Sequence, residues 1–197
     1  MGRPRKFVET DVIRAARDQF WATGYAGTSV EDLTEATGLG KSSLYGAFGG
    51  KHELYLRALD SYRTDSVRGF AEQLDGPGPA MERIRALVLD AARAIASDTD
   101  LQGCLLSKSV AECARHDSEV ADGARRTFIE LARLLASALR RAQREGELDE
   151  GANPDELADL LLTILRGMDA LGAAGMSGPA VQRTAETALS LLPRPRG

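Results

Sequence analysis

The sequence predicts an all-helical protein on three observations. Apolar residues recur at three- and four-residue steps through most of the chain, glycine and proline cut that pattern into blocks of helical length, and no run of alternating β-branched residues interrupts it. The 197 residues suffice for one or two small domains with a shared core. Hydrophobic residues make up 43% and aromatics only 5%, so that core must be built mainly from Leu, Ala, Ile and Val. Lys plus Arg number 25 against 29 Asp plus Glu, a net charge of -4. No global basic field exists, and any contact with nucleic acid must come from a local patch.

In order along the chain, Val12, Ala16 and Phe20, with Ile13 beside them, line one face of a first helix from about Val8 to Thr23, which Gly24 ends. Thr28 or Ser29 caps a short second helix holding Val30, Leu33 and Ala36. Glu31 and Asp32 in its first turn suit the helix dipole, and Gly38 stops it. A third helix begins near Lys41 and carries Leu44, Tyr45 and Phe48; after Gly49 and Gly50 a longer one runs from about Lys51 to Leu74. Gly76, Pro77, Gly78 and Pro79 form the clearest break.

Beyond the break, Met81 to Ala96 is periodic at Ile84, Leu87, Val88, Ala91 and Ile95, and Gly103 opens a segment reaching about Ala114. The strongest pattern joins Val120, Ala124, Phe128, Leu131, Leu135, Ala138 and Ala142, and Gly146 ends it. Asn153 and Pro154 start the next helix as cap and first-turn residue, with Leu157, Leu160, Leu161, Ile164, Leu165, Met168 and Leu171 along it. A last helix runs from about Pro179 to Leu192, and residues 193–197 read as a tail.

The second and third helices, joined by a tight glycine turn, have the layout of a helix-turn-helix whose second member fits a DNA major groove. Gly24, Tyr25, Thr28, Ser29 and Val30, then Gly38 through Tyr45, Phe48 and Lys51 to Leu54, resemble the N-terminal motif of the TetR (tetracycline-repressor) family over roughly the first quarter of the chain. The resemblance implies a DNA-binding domain of three helices with a basic N-terminal arm over residues 1–50. It further implies a helical effector-binding and dimerisation domain over residues 51–197, in a dimeric regulator, more often a repressor, released from a palindromic operator by a small molecule. Gly46 and Ala47 stand where members often carry larger residues, and Gly49 and Gly50 replace a more polar loop.

Each candidate DNA contact has a physical reason. Thr28 and Ser29 sit at a helix N-terminus, where hydroxyls and backbone N–H groups meet a phosphate. Lys41 and Lys51 begin the third and fourth helices and can neutralise phosphates on either side of the groove. Tyr45 can reach a phosphate or a thymine methyl, Ser42 and Ser43 can touch base edges, and Gly46 removes bulk where the helix approaches the groove. Leu44 and Phe48 anchor the helix from behind. Ahead of them, Arg3, Arg5 and Lys6 form an arm suited to a narrow A·T-rich minor groove.

Other functions find little support. Gly40-Lys41-Ser42 looks like the end of a P-loop, but the required first glycine is Glu35, and no nucleophile, zinc-protease or dinucleotide motif occurs, so enzyme activity is not expected. Cys104 and Cys113 cannot make a disulfide framework, and His52 and His116 are far apart in sequence, so neither a metal nor a cofactor is expected. A basic start followed by Glu9 and Asp11 lacks a signal core, and Asp159, Arg166 and Asp169 interrupt the most apolar run. A cytoplasmic protein without a membrane segment is expected.

In the C-terminal part, the apolar helices from Pro154 and from Pro179 are expected to pair with their copies across a two-fold axis. Gly167, Gly172, Ala173 and Ala174 would allow close approach, and Val181, Ala185, Ala188, Leu189 and Leu192 would form a matching stripe. An effector pocket is expected among Leu87, Ala91, Ile95, Leu105, Phe128, Leu131 and Met168. Gly103 to Lys108 also resembles a segment of an electrophile-sensing branch of the same family. With Cys104 near a helix N-terminus and Lys108 one turn on, a reactive thiol is the alternative to an inert buried one.

Overall fold

The protein, a computed structural model, is described over residues 8–195; the arm of Arg3, Arg5 and Lys6 lies outside the described residues. The described chain folds into nine helices: α1 (Glu9–Gly27), α2 (Val30–Thr37), α3 (Lys41–Phe48), α4 (Lys51–Leu74), α5 (Ala80–Ser97), α6 (Leu105–Cys113), α7 (Ser118–Arg144), α8 (Pro154–Ala173) and α9 (Gly178–Ser190). The all-α expectation is met, and most bounds fall within two residues of those the glycine and proline signals predict. Among the described residues no helix is long and apolar enough to cross a membrane.

The packing defines two units. One runs to Asp65 and also takes Leu105–Ala124, and the other comprises 66–104 and the chain from Arg125 onward. This differs from a division at residue 50. The first stretch of α4 carries Leu54, Tyr55 and Ala58 into the first unit, and α6 belongs there because its side chains serve α1 and α4.

In the first unit, Val12, Ala16 and Phe20 of α1, Leu33 of α2, Leu44 and Phe48 of α3, and Leu54, Tyr55 and Ala58 of α4 are all buried. Phe20 meets Tyr55 edge-on at 4.8 Å between ring centroids, and Tyr25 lies 4.7 Å from Tyr55. The Tyr55 hydroxyl donates to Ser109 Oγ at 2.8 Å, and that hydroxyl donates to the Leu105 carbonyl, so the buried phenol is satisfied. Burial pushes the Tyr55 phenol well above its usual range.

Gly24 does not end α1 but kinks it, with φ 76° and ψ 174°, a backbone conformation that a side chain would strain. A helix break strands carbonyls before it and N–H groups after it. Helix α6 satisfies both sets from one face: Lys108 Nζ donates to the Trp21 carbonyl at 2.8 Å, and the Glu112 carboxylate accepts from Tyr25 N at 2.9 Å and Ala26 N at 2.6 Å. The charges match the partial charges of the two helix ends. A Cβ on Gly24 would also lie 2.9 Å from Glu112 Oε2 and push that carboxylate from its place.

The second unit is an apolar core of α5, α8 and α9 with the later part of α7, centred on Ile84, Leu87, Val88, Leu131, Leu135, Leu139, Leu161, Leu165 and Met168. Helix α5 begins at Pro79–Ala80 without a cap of its own. Glu145 accepts from Ala80 N at 2.8 Å and Glu147 from Met81 N at 2.9 Å. The Ala80 hydrogen bond, helped by Arg141, holds the Glu145 carboxyl below its usual range.

The stripe expected to pair across a two-fold axis is corrected here. Val181, Ala185 and Leu189 belong to this same core, Leu192 and Ala188 are buried too, and a Cβ on Gly172 would meet Ile95 of α5 at 2.2 Å. On α8, by contrast, Leu160 and Leu171 are exposed, with the exposed Gly167 between them.

Candidate nucleic-acid interface

Helix α2 starts at a reciprocal cap. Ser29 Oγ accepts from Asp32 N at 3.1 Å, and the Asp32 carboxylate accepts from Ser29 N at 2.7 Å. The Ser29 backbone N–H first, and the Ser29 hydroxyl after it, hold the Asp32 carboxyl below its usual range. Gly38, left-handed at φ 67°, closes α2 and turns the chain into α3. Leu33 and Leu44 are fully buried and Phe48 is 3% exposed, so α3 is anchored by the two residues predicted from the spacing.

What remains outside on α3 is the set that the sequence nominated. Lys41, Ser42, Ser43, Tyr45 and Gly46 are all exposed, and Tyr45 is half exposed rather than packed. A Cβ on Gly46 would meet nothing within 4 Å, so the fold itself does not demand a glycine there. Ser29 is exposed as well, and its oxygen caps α2. Thr28 is placed differently from expectation: it is 1% exposed, and its hydroxyl donates to the Gly24 carbonyl at 2.6 Å. Its side chain therefore fixes the turn behind the surface and is not available to a phosphate.

The two lysines are held in contrasting ways. Lys41 pairs with Glu31, and this pair raises the ammonium and lowers the carboxyl from their usual values. Lys51 Nζ lies over the Tyr25 ring at 4.3 Å from its centroid. An aromatic face positions a cation without neutralising it, whereas a carboxylate cancels its charge. Lys51 is thus ready for a phosphate, and Lys41 becomes so only by leaving Glu31.

Of the residues nominated for an effector pocket, Leu87, Leu131 and Met168 lie within the second unit's core, with Ala91, Ile95 and Phe128 packed against it. Leu105 and Lys108 belong to the other unit. The Lys108 ammonium is committed to the α1 carbonyls. The cation at the thiol is Arg166, with Nη1 at 3.0 Å from Sγ. Cys104 is 5% exposed, and both cysteines are free thiols. A thiol so covered gives the electrophile-sensing alternative no structural support.

One grouping was missed. His52 at the start of α4 and Asp117 at the α7 cap, 65 residues apart, meet at 2.7 Å, and His116 and Cys113 line the same cleft. The histidines that sequence distance separates are brought together by the return of α6.

Comparison with known proteins agrees with this geometry. Residues 12–58 match the model of bacterial regulatory proteins of the tetR family, and residues 80–188 match a tetracyclin repressor-like C-terminal domain. The chain belongs to the TetR family and is a DNA-binding transcriptional regulator, not an enzyme. It is 32% identical over 149 residues to the uncharacterised HTH-type transcriptional regulator YezE of Bacillus subtilis, covering 76% of this chain and 77% of that one. It is 28% identical to the HTH-type transcriptional repressor ComR of Escherichia coli, over 98% of this chain and 92% of that one. A cysteine mutant of the TetR family regulator CifR, complexed with 26-bp double-strand operator DNA, superposes with TM-score 0.85 at 30% identity, covering 98% of this chain and all of that one.

Proposed function

We propose that the chain acts as a dimeric repressor which reads a palindromic operator through α3 and leaves it when a small molecule binds the second unit. The single observation behind this reading is the outward face of α3. Ser42, Ser43, Tyr45 and Gly46 are presented to solvent by a helix whose other face is anchored through Leu44 and Phe48. Lys41 and Lys51, at the starts of α3 and α4, serve the phosphates on either side. Ser29 adds a third backbone contact, and Arg3, Arg5 and Lys6 reach the adjacent minor groove. The DNA-bound CifR structure and the relatives named as repressors support the same direction.

The effector enters the apolar interior around Leu87, Ala91, Ile95, Phe128, Leu131 and Met168, and its chemistry is correspondingly apolar. The test is fluorescence anisotropy with DNA from the region upstream of the protein's own gene, followed by footprinting. The expected result is protection of two inverted half-sites about one helical turn apart, with affinity at least a thousandfold above random DNA at physiological salt. Equal affinity for both DNAs would overturn the operator reading.

A further inference from the structure

We propose that the cleft between the start of α4 and the α6–α7 turn is a binding site for a divalent transition-metal ion of the zinc class, held by His52, Asp117 and Glu119. The inference is independent of the DNA reading. One donor atom from each of the three residues lies within 4.8 Å of the others, and all three line a cleft of about 490 Å³ that also contains His116 and Cys113. The imidazole comes from α4 and the two carboxylates from the cap and first turn of α7, so no local turn accounts for the meeting of His52 with them.

Two of the three donors are already oriented. Asp117 Oδ1 accepts from Glu119 N at 3.1 Å and Val120 N at 3.2 Å, which fixes the carboxylate and leaves Oδ2 directed at His52 Nε2, 2.7 Å away. Backbone hydrogen bonds to the non-ligating oxygen are the kind of outer support that metal carboxylates use. Tetrahedral coordination with bonds of about 2.0–2.2 Å sets ligand atoms about 3.3 Å apart. His52 and Asp117 need to open slightly, and the exposed Glu119 needs to close by at most about 1.5 Å, within reach of a side-chain rotation.

The donor set decides the class of ion. An imidazole with two carboxylates suits zinc, cobalt or nickel, whereas calcium and magnesium prefer all-oxygen sites. The positive end of α7 opposes a cation by a few-fold in affinity at most, and two carboxylates outweigh it. With three protein ligands, the fourth position is left to water.

The experiment is titration of the full untagged chain with zinc chloride by calorimetry, with metal content measured after gel filtration. The expected result is one zinc per chain with a micromolar or tighter Kd. His52→Ala and Glu119→Gln should each weaken binding at least tenfold with far-UV circular dichroism unchanged, and Glu119→Gln should leave thermal melting unchanged as well. Glu119 is exposed, so its variant tests the site without disturbing the α7 cap. Absence of saturable zinc uptake in the micromolar range, or uptake that survives unchanged in either variant, would overturn the assignment.

Discussion

Glu31 holds the Lys41 ammonium in the chain alone, and a phosphate arriving at the start of α3 must displace that carboxylate. Glu31→Gln should therefore raise operator affinity several-fold at low salt and steepen the dependence of log K on log salt by up to about one unit, since Lys41 then takes a phosphate with release of a counterion. Lys51 carries an unneutralised charge over Tyr25, so Lys51→Ala should flatten the same slope by about one unit and weaken binding alike for all sequences. Anisotropy across a salt series measures both, and an unchanged slope in either variant would remove that lysine from the interface. At Asp117, burial works to raise the carboxyl, but the hydrogen bonds from His52 and from Val120 N and Glu119 N prevail and hold it below its usual range. A lowered folded-state value means stabilisation that is present above the unfolded value of about 3.9 and is lost as pH falls through the folded one. Asp117→Asn, which keeps a capping side chain, should lose less stability than wild type between about pH 5 and pH 3, measured by urea unfolding; parallel pH profiles would contradict the assignment.

At the scale of elements, the kink in α1 depends on α6. Glu112→Ala removes the acceptor of two N–H groups, and because Glu112 is exposed water replaces part of the loss, so the expected cost is about 1 kcal/mol in urea unfolding. Glu112→Gln, which keeps an acceptor oxygen, should recover part of it, and equal losses in the two variants would show that charge alone matters there. This clamp also marks where sequence reading stops. Periodicity identified Leu44 and Phe48 as the anchors of the helix-turn-helix, because burial on a helix follows its 3.6-residue period. The outward row of α3 followed by elimination. Spacing could not say what covers an apolar face, and so the α9 stripe was assigned to a partner when α5 of the same chain covers it. The interval from Cys104 to Lys108 suggested neighbours on one helix, yet Cys104 precedes α6 and Lys108 reaches back 87 residues. The meeting of His52 with Asp117 was hidden for the same reason: no local pattern encodes a contact across 65 residues.

For the whole molecule, one short recognition helix covers only a few base pairs, and specific affinity in a genome needs two half-sites held at a fixed spacing. The outward surface of α8 is suited to supply that pairing. Leu160 is 47% and Leu171 41% exposed, and steps of seven and four residues through Gly167 keep them on one stripe. Exposed leucines aligned over three turns are hard to reconcile with an isolated subunit, and a self-complementary stripe is what a two-fold axis uses. Leu160→Glu combined with Leu171→Glu should convert a dimer into a monomer by sedimentation velocity at micromolar concentration, with helix content retained because both side chains lie outside the core. Operator affinity should then fall by at least a hundredfold, the loss of a second half-site held at high effective concentration, while binding to random DNA falls far less. A wild-type chain that sediments as a monomer would remove the dimer reading. A double variant that remains dimeric would place the two-fold contact elsewhere on the chain.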